Sequence, residues 1–176
     1  MAGMAENDVL IRAFETVRQR FETALEGVTG DQLTYRPHPE ANSIAWLAWH
    51  LTRWQDAQLA RFSGADQLWV SGWAGRFDRP ADPADTGIGH TSRQVAELTG
   101  SAELLRGYHA AVVERTIAYL RACDEAELAR EIDDPARSRV DTVAGRLVGV
   151  LSDNFQHVGQ MAYLRGLIAG AHWGAH

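Results

Sequence analysis

The chain has 176 residues, 45% of them apolar, and a formal net charge of −6. That length supports one compact core and hardly two, so a single domain over residues 1–176 is expected. Acidic balance without a Lys/Arg run opposes nucleic acid and anionic membrane surfaces as partners. No stretch approaches the roughly 18 uninterrupted apolar residues of a membrane span, and MAGMAENDVL lacks the features of a secretory signal. The lone Cys123 cannot form an internal disulfide. A cytoplasmic protein with a small-molecule partner is therefore expected.

In chain order, Leu10, Phe14, Val17, Phe21, Ala24 and Val28 form an apolar stripe at helical spacing, with Gly30 expected just past the helix end. Tyr35-Arg36-Pro37-His38-Pro39 is a linker, because its two prolines lack amide donors and restrict the residues before them. Asn42 or Ser43 caps a second helix whose stripe is Ile44, Leu47, Leu51, Trp54, Gln58 and Phe62, ending at Gly64, with His50 at its flank. The irregular stretch from Gly64 to His90 is long for a connection between helices. Its Trp69, Trp73 and Phe77 suggest a lid or wall packed back on the body.

Thr91 or Ser92 caps a short helix through Leu98, and Ser101 starts a longer one carrying Leu105, His109, Val112, Thr116, Tyr119 and Cys123. After a polar turn region at Asp133-Asp134-Pro135-Ala136-Arg137-Ser138, Asp141 or Thr142 caps the last helix. Its seam is Leu147, Val150, Asn154, His157, Met161, Leu164 and Ile168. Four long amphipathic helices and no convincing alternating strand predict an all-α, up-down four-helix bundle, with the aromatic-rich loop between helices two and three.

The last helix carries the informative anomaly. Asp153 and His157 stand four apart beside an otherwise apolar seam, so a carboxylate oxygen and an imidazole nitrogen can converge on one point. Such a pair is often no more than a hydrogen-bonded couple, but an inward-facing aspartate needs a partner. A third ligand must come from another helix. His50, among Trp46, Trp49 and Trp54, is the candidate. Three N/O ligands with an open position match catalytic rather than structural zinc, and nickel, manganese or iron also suit such a donor set. His109 is assigned to packing or to the pocket wall, and His90 to a structural role. His172 and His176 fall in a terminal segment where fixed ligands are not expected. Cys123 has no basic neighbour in sequence to activate it, and there is no nucleophile elbow or phosphate loop.

Asn42-Ser43-Ile44-Ala45-Trp46-Leu47-Ala48-Trp49-His50-Leu51 and Asp153-Asn154-Phe155-Gln156-His157-Val158-Gly159-Gln160 resemble the DinB/YfiT-like superfamily of metal-binding four-helix bundles. Gln67-Leu68-Trp69, Gly72-Trp73-Ala74 and Gly89-His90-Thr91-Ser92 resemble its actinobacterial branch. The resemblance implies a metal triad of one histidine on the second helix and a histidine pair on the last, followed by Gly-Gln. His50 and His157 match it, whereas Asp153 stands where many members carry histidine. It further implies thiol transfer with bacillithiol, mycothiol or glutathione, mycothiol first for this branch, from the thiol to an electrophile. A metal-dependent hydrolase on the same triad and a non-enzymatic metal-containing binding or stress protein are the alternatives, and a homodimer is compatible with all three.

Overall fold

The computed structural model describes residues 6–134 and 139–170. Four long helices carry the core: α1 (Glu6–Leu25), α3 (Ile44–Ser63), α6 (Ala102–Ala122) and α8 (Val143–Ala169). Their starts follow local chemistry. Ser43, Ser101 and Thr142 each accept a backbone N–H from the first turn of α3, α6 and α8, satisfying donors a helix leaves open. Gly64 ends α3 at φ +72°, a conformation that costs glycine no steric clash.

The smaller elements depart from expectation in three places. Gly30 does not close the first helix. It opens a five-residue helix, α2 (Gly30–Thr34), that buries Leu33. The connection after α6 holds another short helix, α7 (Glu125–Ala129), and then an antiparallel hairpin, β1 (Glu131–Asp134) and β2 (Arg139–Thr142), paired from Glu131 with Thr142 to Asp134 with Arg139. Its eight strand residues are mostly charged or polar, without the apolar alternation that marks a half-buried strand. The terminal His172 and His176 lie outside the described residues.

The long helices do not follow the consecutive order of an up-down bundle. α3 packs on α6 and α8, and α1 packs on the same two. Successive helices α1 and α3 thus sit at diagonal corners, as do α6 and α8. The physical reason lies in the connections: short loops force neighbours together, whereas α2 with its proline linker, and α7 with the hairpin, give the chain enough length to cross. α3 is consequently walled in on most sides and buries 16 of its 20 residues.

Burying that much of α3 requires partners for its polar side chains. Arg53 and Asp56, both essentially unexposed, form an ion pair at 3.4 Å. Asp56 also accepts from Tyr108 Oη at 2.8 Å and from the backbone N–H of Leu68 and Trp69 at 2.9 Å. Arg53 donates onward to Gln67 Oε1 and to the carbonyls of Pro83 and Asp85. Burial and the Asp56 carboxylate push the Tyr108 phenol far above its ordinary pKa, so it stays a donor. This network pins the connection between α3 and α6, which contains a π-helical turn (Trp69–Trp73), the short α4 (Ala74–Arg76) and, before α6, α5 (Ser92–Ala96). Trp69, Trp73 and Phe77 close on Tyr108 with ring centroids 5.2–5.9 Å away. The loop packs back on the body, as its aromatics suggested. A second buried set crosses the interior: Asn154 donates to Gln55 Oε1 at 2.7 Å, and Gln55 donates to Thr116 at 2.8 Å.

Candidate metal site

Two helices and one loop build the site. α3 brings His50, 5% exposed, and α8 brings Asp153 and His157, one turn apart and both half-buried. One ligand-capable atom from each lies within 4.8 Å of the other two. The three residues singled out in the sequence are therefore brought together by the packing of α3 against α8.

Hydrogen bonds select the nitrogen that each imidazole presents. His50 Nδ1 contacts the Thr86 carbonyl at 2.5 Å. A carbonyl only accepts, so Nδ1 carries the proton and Nε2 keeps its lone pair. His157 Nδ1 donates to Gln160 Oε1 at 2.8 Å, which likewise frees Nε2. That nitrogen faces Asp153 Oδ1 at 3.5 Å, and Asp153 Oδ2 is buried with no hydrogen-bond partner among the described residues. A lone pair and a carboxylate facing each other in this way need positive charge between them, either a proton on His157 or a cation.

The electrostatics show the same demand. Burial is the largest influence on His157 and favours its neutral form, but hydrogen bonds to Asp153 and Gln160 outweigh it and leave the pKa above the ordinary value. His50 moves the other way. Burial lowers its pKa despite the Thr86 carbonyl and Asp153, so it stays neutral and able to ligate. The orphaned carboxylate oxygen, the two oriented Nε2 atoms and the hard/borderline donor set all fit a divalent ion.

Around the triad, Trp46 stacks on His50 with centroids 4.7 Å apart and meets His157 edge-on at 6.5 Å. The Thr86 carbonyl is delivered by a tight turn at Gly87, where φ is +89° and a Cβ would lie 3.0 Å from both Trp46 and Trp49. Only glycine permits this approach. His90 lies beside the triad without joining it. Its Nδ1 accepts from Trp46 Nε1 at 3.1 Å and its Nε2 donates to Asp85 at 2.9 Å, so both nitrogens are used and its role is structural, as expected.

His109 does not shape the pocket. It is fully buried between α6, α1 and α3, stacked on Phe21 at 3.9 Å. Thr52 gives its own proton to the Ala48 carbonyl, so His109 Nδ1 donates to Thr52. The stripe carrying His109 does face inward, but toward the opposite side of α3 from His50. Of the loop's aromatic residues, Trp69 reaches the site only indirectly, through its edge contact with Trp49 at 5.7 Å, whereas the same loop's Thr86 bonds His50 directly. The residues that sequence reasoning missed are Thr86, which acts through its backbone and has no side-chain signature, and Gly87; Gln160, part of the Gly-Gln that the resemblance implies, bonds His157 three residues away on its own helix.

A helical fold of this topology, with a candidate metal triad between its second and last long helices, defines a class of metal-binding helical proteins. The sequence matches the DinB superfamily over residues 13–161, and the chain belongs to that superfamily. A crystal structure of a conserved protein from Enterococcus faecalis is 30% identical, with a TM-score of 0.84 over 96% of this chain and 100% of that one. YfiT from Bacillus subtilis, described as a probable metal-dependent hydrolase with an unusual four-helix bundle topology, is 16% identical, with a TM-score of 0.60 over 97% of this chain and 93% of that one. At that identity the likeness to YfiT concerns the fold. No curated protein matches the sequence. No described helix is long and apolar enough to cross a membrane.

Proposed function

We propose that the protein is a metal-dependent hydrolase whose divalent ion, zinc first, is held by His50, Asp153 and His157. The observation that carries this reading is the Asp153 carboxylate, with one oxygen 3.5 Å from His157 Nε2 and the other buried without a hydrogen-bond partner among the described residues. The description of YfiT as a probable metal-dependent hydrolase supports the reaction class. When bound, a divalent ion supplies Lewis-acid polarisation and makes water nucleophilic near neutral pH. The chain's own groups do the rest. Thr86 and Gln160 hold the two imidazoles in the ligating tautomer, Trp46 fixes the His50 ring plane, and the Asp153 carboxylate provides the negative charge that offsets the cation.

Thiol transfer with mycothiol as co-substrate would use the same three residues, and the two readings separate on one requirement. A hydrolase turns over ester or amide substrates without added thiol, whereas a transferase is silent until one is supplied. The test is metal content by mass spectrometry on protein purified without a histidine tag, followed by an ester and amide panel with and without thiol. About one ion per chain, lost in His50→Ala and Asp153→Ala, with thiol-independent turnover, is expected. Absence of metal after incubation with zinc or nickel would defeat the proposal, and strict thiol dependence would replace hydrolysis by transfer.

A further inference from the structure

The segment that delivers the Thr86 carbonyl to His50 lies between α4 and α5 and has no regular structure, so side chains must set its shape. Asp85 supplies the central acceptor. Its Oδ1 accepts from the Gly87 N–H at 3.1 Å, closing a turn around Thr86, and from His90 Nε2 at 2.9 Å. The Gly87 carbonyl accepts from the His90 N–H at 3.1 Å, which closes the next turn. The backbone carbonyl of Asp85 accepts from Arg53 Nε at 3.1 Å and ties the segment to the buried ion pair on α3.

Two routes lead from this carboxylate to the same imidazole. The first runs through the backbone: the turn aims the Thr86 carbonyl at His50 Nδ1, 2.5 Å away, and that acceptor keeps the proton on Nδ1. The second runs through rings. The Trp46 indole N–H can only donate, so His90 Nδ1 holds a lone pair and Nε2 carries the proton that Asp85 accepts. Trp46, anchored to His90 at 3.1 Å, lies 8° from the plane of the His50 ring with centroids 4.7 Å apart. One acceptor thus governs both the tautomer of His50 and its ring plane. The His90 side chain is nearly buried and stacks on Trp49, which leaves this brace little room to shift.

We infer that Asp85 is a positioning residue for the metal site, acting on His50 through the Thr86 carbonyl and through the His90–Trp46 pair. The consequence for ligand binding rests on the metal-triad reading, but the state of the His50 ring is measurable without metal. His157 provides the internal control, because its Nδ1 is held by Gln160 on the same helix. A change confined to the Asp85 turn leaves that bond in place.

The test is a long-range proton–nitrogen correlation spectrum of metal-free full-length protein at alkaline pH, followed by zinc affinity from chelator competition. The parent should show His50 protonated on Nδ1. Asp85→Ala should shift His50 toward a mixture of tautomers and weaken zinc binding about 10- to 100-fold. Asp85→Asn keeps a neutral acceptor for Gly87 and His90, and should restore both readouts close to the parent values. His90→Leu should likewise weaken zinc binding, and His90→Gln, whose amide can accept from Trp46 and donate to Asp85, should restore it; this second pair carries the test if Asp85→Ala does not fold. His157 should keep its parental tautomer in every variant. A parent His50 protonated on Nε2, an unchanged His50 tautomer or zinc affinity in Asp85→Ala, failure of Asp85→Asn to restore them, or a joint change at His157 would overturn the assignment. A parent protein that binds no zinc would instead remove the metal reading, and the His50 tautomer alone would then decide the role of Asp85.

Discussion

Substituting His109 tests the interior electrostatics of the fold at a position remote from the metal site. The His109 ring is fully buried, its Nδ1 donates to Thr52, and its Nε2 has no partner among the described residues. Burial, with a smaller contribution from the charge of Arg18, pulls its pKa down to about 3, against roughly 6.5 in the unfolded chain. Below pH 6.5 the unfolded chain therefore binds a proton that the folded chain refuses. The stability that His109 contributes is fully present above the unfolded value and is lost as pH falls toward 3, at about 1.4 kcal/mol per pH unit. Over the 1.5 units from pH 6.5 to 5 that amounts to about 2 kcal/mol. His109→Asn keeps a donor for Thr52 but cannot take up a proton. It should cost roughly 2–3 kcal/mol at pH 7.5 through the space left against Phe21. Urea unfolding of both proteins between pH 7.5 and 5 provides the assay, since other titrating groups are common to the pair and cancel. The stability gap should narrow by about 2 kcal/mol at the acid end, and a gap independent of pH would refute the assignment of His109 as a buried neutral histidine.

Four further outcomes follow from named contacts. Asp56→Asn strands the Arg53 charge and weakens acceptance from Tyr108, Leu68 and Trp69; it should cost on the order of 3–5 kcal/mol in thermal or urea unfolding, and a change under 1 kcal/mol would argue against the network. Gly87→Ala forces a Cβ against Trp46 and Trp49 at φ +89°, so it should displace the Thr86 carbonyl and weaken both stability and metal uptake, as read by unfolding and metal titration. Gln160→Leu removes the acceptor for His157 Nδ1 and should lower metal affinity by about 10- to 100-fold with the fold intact; unchanged affinity would remove Gln160 from the site. Cys123 is buried and its thiol pKa is raised, chiefly by desolvation, so it should resist a disulfide-exchange reagent at neutral pH until the protein is denatured.

The local code of the chain is legible wherever a residue acts on its immediate neighbours. Ser43, Ser101 and Thr142 cap because a hydroxyl two or three residues upstream reaches open N–H groups, and the apolar stripes around Phe14, Leu47, Val112 and Leu147 end in the core they imply. Asp153 and His157 were readable as a pair because one helical turn separates them. What the sequence could not determine involves contacts between distant segments. His50 was already the candidate third ligand, but its meeting that pair depends on α3 and α8 being neighbours, which in turn depends on the long connections from α1 to α3 and from α6 to α8. The His50 tautomer is set by a backbone carbonyl 36 residues away, and a carbonyl is the same in every residue type. The burial of Arg53, Asp56 and Gln55 is likewise a tertiary outcome: their side chains look like a solvated helix face until α6, α8 and the aromatic loop close around them and supply the partners that burial demands.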